Sequence, residues 1–260
     1  MSIGLTEKAI LGIPIVTDLG SIKPLSIYDY VQFGTELQVM SFEKSRVLHE
    51  YRMSIDDEKL KKSRELEERL KEVMEKMSLK DIVVGLVPVF FNAYVAVVAQ
   101  SMFYDIENEE ERAQQAYTLL KDLDDDQFDS LRDIILQINA QGKQKAFLDY
   151  ELQRKKEQGI RLNTGSKEGP NVTTLITSVV AFTGIDYDIV KDWNYARLIH
   201  TFNRISMLKS YDTTTMFMTV SGDVEMQSWQ DNFKVEDDSA TSESFAQSYD
   251  SFTKNLGSKL

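Results

Sequence analysis

The chain has 260 residues, 42% hydrophobic and 28% charged, with 12 Gly and 4 Pro, a composition that excludes collagen-like and wholly disordered architectures and leaves room for one large or two modest globular domains. A net charge of −12 opposes the phosphate neutralisation on which nucleic-acid binding depends, so no nucleic-acid partner is expected. Cysteine is absent, which removes disulfides, thiolate metal sites and Cys nucleophiles and favours a reducing compartment.

The opening Met1–Val16 lacks the basic start, unbroken apolar run and small-residue cleavage site of an export signal, and none is expected. Short β-branched runs punctuated by Gly and Pro follow (Ile13-Pro14-Ile15-Val16, Leu19-Gly20-Ser21-Ile22) and predict a short N-terminal β element. Ser26 with Asp29 three residues on has the spacing of a capping box and opens a helix expected to run through Val31, Phe33 and Leu37 to about Tyr51. Ser54 and Asp57 repeat that spacing before a charged helix whose Leu66, Leu70, Val73 and Met77 form a narrow apolar seam. On its other face Glu58, Glu67 and Glu72 each precede a lysine by four residues, the order that favours helical ion pairs.

Ser78 and Asp81 open the most apolar stretch, Ile82–Ala99, which at 18 residues reaches the lower end of a membrane-spanning length. Pro88 and Asn92 within it, and the lack of a flanking Lys/Arg cluster, favour a buried core helix over a span, and no membrane partner is expected. Asn108 with Glu111, then Asp124 with Gln127, open two further helices. The second aligns Phe128, Leu131, Ile135 and Ile138, and Gly142 is placed as its stop. Residues 143–158 continue helical to Gly159, and Gly159–Pro170 breaks every periodicity, as a linker or loop does.

Beyond the linker, Val172, Leu175, Ile176, Val179 and Val180 share a helical face ending at Gly184, and Asp186 starts a long helix striped by Tyr195, Leu198, Phe202, Ile205 and Leu208. Two alternating runs around Ser221-Gly222-Asp223 predict a C-terminal β-hairpin. The Ser-rich acidic tail has the composition of a disordered segment, yet Phe245, Tyr249, Phe252 and Leu256 share one helical face, as a docking helix would. The expected fold is mainly α: 1–158 short strands plus a helical domain, 159–170 a linker, 171–235 a helical C-terminal domain with a hairpin, and 236–260 the tail.

Chemistry-bearing patterns are few. His49 and His200 lie far apart and outside any zinc-ligand spacing. The acidic runs Glu107–Glu111 and Asp124–Asp126 lack the alternating ligands and glycine of a calcium loop and read as helix N-termini, where negative charge is favoured. Gly165-Ser166-Lys167 lacks the spacing and preceding strand of a phosphate loop, and neither a GxSxG elbow nor a GxGxxG turn occurs. No catalytic, cofactor or metal residue is assigned, and a non-enzymatic protein is expected.

Two regions carry a family resemblance. In front stand Leu11-Gly12-Ile13-Pro14-Ile15 and the run Gly20-Ser21-Ile22-Lys23-Pro24-Leu25-Ser26-Ile27-Tyr28-Asp29-Tyr30; behind stand Trp193-Asn194-Tyr195-Ala196-Arg197, Phe202-Asn203-Arg204-Ile205, the Gly222 hairpin and Trp229-Gln230-Asp231-Asn232-Phe233. Together they resemble tail assembly chaperones of tailed bacteriophages that infect Gram-positive hosts. The resemblance implies a non-enzymatic protein of the host cell cytoplasm that coats the tape measure protein and keeps it soluble while tail tube subunits polymerise around it. The tail tube protein is then a second partner, and a homo-oligomer is compatible. Leu66, Leu70, Val73 and Met77, the apolar stretch Ile82–Ala99, and Phe245, Tyr249, Phe252 and Leu256 are the partner-contacting residues on this reading. The alternative from another class is a structural or scaffolding virion protein that self-assembles through the same helices.

Overall fold

The computed structural model describes residues 4–55, 63–142 and 171–218. Among them are eleven helices and one two-stranded antiparallel sheet, the mainly α architecture expected with a short N-terminal β element. Helix α1 (Leu5–Leu11), which the residue pattern did not lead one to expect, precedes β1 (Ile15–Thr17) and β2 (Gly20–Ile22). The strands pair Ile15 with Ile22 and Thr17 with Gly20. Gly12 ends α1 at φ +70, where it lies against Asn194, a left-handed backbone that glycine adopts without Cβ strain.

The expected helix from Ser26 to Tyr51 is two helices, α2 (Ile27–Met40) and α3 (Lys44–Met53). Ser26 and Asp29 form the capping box as expected. The break at Ser41–Glu43 has a long-range cause: the Met40 carbonyl accepts from Arg132 Nε at 2.7 Å and Tyr94 Oη at 3.2 Å, and the Phe42 carbonyl accepts from Arg132 Nη2 at 3.0 Å. Terminal carbonyls without intrahelical partners are thereby satisfied inside the core.

Helix α4 (Arg64–Lys76) is capped by Ser63, whose hydroxyl accepts from the Leu66 amide. Ser54, expected in that role, instead closes α3 by donating to the Tyr51 carbonyl, and Asp57 lies outside the described residues. The apolar stretch is likewise divided, into α5 (Leu79–Leu86) and α6 (Pro88–Met102), which meet at 108°. Proline disfavours helical backbone in the residue before it and suits the first turn of a new helix, so Val87 is the corner. Among the described residues no single helix is long and apolar enough to cross a membrane, although this bent pair has the required length and composition. In the fold α6 is the central core helix, with nine buried residues.

Helices α7 (Glu109–Asp122) and α8 (Asp125–Ile138) begin at Asn108 and at an Asp124–Gln127 capping box, as the spacing indicated. The stop of α8 is Asn139 followed by Ala140 in a left-handed conformation (φ +52), two residues before Gly142. The Gln141 amide reaches the Leu136 carbonyl and the Ala140 amide the Gln137 carbonyl, a Schellman closure in which alanine takes the place usually given to glycine. Helix α9 (Val172–Thr183) ends at Gly184 as expected. Asp186 caps only the single turn α10 (Tyr187–Val190), and the long helix α11 (Tyr195–Met218) starts afresh.

A large core joins α1, the sheet, α2, α3 and α5–α8, with Ile22, Leu37, Ile82, Val97, Val98, Leu120 and Ile135 almost wholly buried. A smaller cluster of Leu175, Val179, Val190, Trp193 and Leu198 joins α9–α11 to Ile27 of α2. Met216–Met218, the start of the expected hairpin run, are the last turn of α11. The helix through 143–158, the Gly159–Pro170 linker, the rest of the hairpin and the tail lie outside the described residues.

Candidate partner-binding surface

On α4 the seam residues Leu66, Leu70, Val73 and Met77 are all half-buried and none is fully covered. Leu70, Val73 and Met77, with Met74, lean on the large core, whereas Leu66 stands outside both core clusters. Lys44 Nζ fixes the end of the helix by donating to the Met77 carbonyl at 2.9 Å. The outer face carries the ion pairs Glu67–Lys71 at 3.4 Å and Glu72–Lys76 at 2.6 Å, with Arg64–Glu68 at 3.2 Å. Hydrogen bonding to Lys76 holds the Glu72 carboxyl below its ordinary value, and the same contact raises the Lys76 ammonium. The helix thus shows solvent a charged face and keeps a seam that the described residues cover only in part. Phe245, Tyr249, Phe252 and Leu256 lie outside the described residues. The remaining proposed contact stretch, 82–99, supplies Ile82, Val83 and most of α6 to the core.

The described parts of the two regions that carry the family resemblance meet, while the Gly222 hairpin and Trp229–Phe233 lie outside the described residues. The Ile27 amide donates to the Trp193 carbonyl at 2.6 Å, Ser26 and Asn194 form an antiparallel bridge, and Asn194 Nδ2 donates to the Ala9 carbonyl at 2.7 Å. Asn194 Oδ1 also accepts from the Arg197 amide, so one buried side chain both caps α11 and ties it to α1. The rings of Tyr30 and Tyr195 stack with centroids 4.0 Å apart and planes 3° from parallel. Burial first, and then the neighbouring Tyr195 hydroxyl, pushes the Tyr30 phenol up, while Gln141 Nε2 donates to its oxygen at 2.7 Å.

Two of the most deeply buried polar side chains, Arg132 and Asn139, have structural partners, whereas the equally buried Ser101 Oγ has none among the described residues. Arg132 is 3% exposed and holds the α2–α3 junction while pairing with Glu43 at 3.3 Å. Asn139 Oδ1 accepts from the Leu25 amide at 2.9 Å and its Nδ2 donates to the Ile135 carbonyl. Sequence reasoning missed Arg132 and Asn139, and singled out Asn194 only as part of the resemblance, without its tie to Ala9. The available signal was a polar residue set within or just beyond an apolar stripe, as Arg132 is beside Leu131 and Ile135. Burial and Arg204 lower the pKa of His200. Among the described residues no group of three or more His, Asp or Glu is placed to hold a metal ion.

A family model described as the YomV N-terminal domain matches residues 3–146, and one described as the YomV second domain matches residues 164–234. The chain is 25% identical over 225 residues to the SPbeta prophage-derived uncharacterized protein YomV of Bacillus subtilis (strain 168), a match spanning 86% of this chain and 87% of that protein. No solved structure matches.

Proposed function

Because the chain belongs to the YomV family, with a prophage-derived relative that it matches over most of its length, we infer that it is a phage tail assembly chaperone that binds and solubilises the tape measure protein in the host cytoplasm. The observation that carries this reading is the meeting of the two resemblance-bearing stretches. They stand more than 160 residues apart in sequence, yet Ile27 and Trp193 share a hydrogen bond and Tyr30 and Tyr195 stack. A pair of motifs that forms one structural unit supports the family likeness more strongly than two scattered patterns would. An acidic helical body also suits a chaperone of this kind, because an apolar-striped helical client is shielded by side chains that cover its stripe, while net charge keeps the pair soluble. The function is binding rather than catalysis.

The test is co-expression with the products of neighbouring genes, affinity capture of this chain and identification of what accompanies it by mass spectrometry. The expected result is a long, helical partner of the tape measure type that is soluble only in this chain's presence. Recovery of this chain alone as large oligomers, or its presence in finished particles, would replace the chaperone by a structural or scaffolding role.

A further inference from the structure

Between Asp105 and Asp133 stand eleven Asp/Glu against three Lys/Arg, so this stretch carries a net −8 of the chain's −12. Each of the three bases is already engaged. Arg132 is buried at the α2–α3 junction, Arg112 Nη1 donates to Gln100 Oε1 at 2.6 Å, and Lys121 lies over the Tyr117 ring. Glu107, Glu110, Glu111 and Asp122 are exposed and have no ion-pair partner among the described residues. Along the same side of α7 runs an open, mostly apolar groove of about 330 Å³ lined by Phe103, Gln114, Gln115, Thr118, Leu119 and Asp122.

The geometry points to a docking site in this groove for a cationic amphipathic helix of a partner protein. Phe103 and Leu119 are half-buried and form an apolar floor. The cavity accepts side chains rather than a whole helix, so the partner lies across it, seating apolar residues on that floor. Its flanking lysines or arginines meet Asp122 and the Glu107–Glu111 rim. Apolar contact seats the helix, and the charged rim sets partner sign and association rate. The inference deepens the chaperone reading by giving the client a chemistry, and rests on it.

The probe is a fluorescent helical peptide of Leu and Lys, amphipathic at a 3.6-residue period, titrated with the full chain. A scrambled peptide of the same composition and a Leu/Glu peptide serve as controls. Binding that favours the ordered Leu/Lys peptide and weakens as salt rises is expected. Both Thr118→Trp, which fills the groove, and the exposed pair Glu111→Lys with Asp122→Lys should weaken binding about tenfold. Reversal of Glu65 and Glu68 on α4, with the same change in net charge, should leave it nearly unchanged. Equal binding of the scrambled peptide, or equal loss on reversing α4, would reduce the effect to overall charge and overturn the site. If the peptide fails but a long helical partner still co-purifies, the groove falls and the chaperone reading stands; a specific peptide complex without such a partner preserves the groove and removes the chaperone reading.

Discussion

Helices α6 and α4 are of similar length, fifteen and thirteen residues, and both present apolar side chains at helical spacing, yet α6 buries nine residues and α4 buries none completely. The difference lies in the other faces. Phe90, Tyr94, Val95 and Val98 point several ways from α6 and find neighbours in each direction, whereas Arg64, Glu65, Glu68 and Glu72 confine α4 to one seam. Periodicity tells a helix which way to turn; how many faces are apolar decides how deep it sits. Helix α6 is therefore the support of the fold, and α4 is a cover held by a cap, exposed ion pairs and a half-buried seam.

The largest expected effect breaks the support. Tyr94→Ala removes a fully buried ring that stacks on Phe128, with centroids 5.2 Å apart, and donates to the Met40 carbonyl. It should cost about 3–5 kcal/mol in urea unfolding; a loss below about 1 kcal/mol would show that α6 is not the centre of the core. On the cover, Leu70→Ala removes a half-buried side chain and should cost about 1–2 kcal/mol, while a loss equal to that at Tyr94 would erase the distinction between the two helices. Ser63→Ala removes the hydroxyl that accepts from the Leu66 amide and should cost about 1 kcal/mol. Amide hydrogen exchange should locate the loosening in the first turn of α4, and uniform loss across the fold would contradict a locally held cover.

The smallest expected effect sharpens the idea of half-burial on another helix. His200, on α11, has its pKa lowered by burial and then by Arg204. Its proton is therefore bound more readily by the unfolded chain. The associated stability is complete above the unfolded value of about 6.5 and is lost as pH falls from there through the lower folded value. His200→Gln should flatten the fall in melting temperature between about pH 7.5 and 5, and an unchanged slope would assign it to other groups.

The helix starts were readable because capping is local: Ser26, Ser78, Asn108 and Asp124 each accept from an amide two or three residues on. Ser54 and Ser63 show the limit of that code, since both precede helix-forming residues and only Ser63 caps α4. Breaks were harder. The corner at Val87 was present in the sequence as Pro88, but the break after Met40 is filled by donors from Tyr94 and Arg132, 54 and 92 residues away. No window of local sequence contains such a cause. At the candidate surface, spacing identified the α4 seam, while the degree to which Leu70, Val73 and Met77 are taken up by the core depended on elements brought together only by folding.

The tie between Ala9 and Asn194 spans 185 residues and sets an order in time. At about 5–20 residues per second of translation, the ribosome needs about 10–40 seconds to supply Asn194 after Ala9 has been made. Throughout that interval the Ala9 carbonyl has only its local bond from the Gly12 amide, the Ile27 amide is without its native partner, and the hydrophobic surface around Ile27 is uncovered. Long-range closure is the slow component of folding. The nascent chain thus passes through a stage in which its own amino-terminal segment is sticky, and completion of the carboxyl-terminal helices ends that exposure.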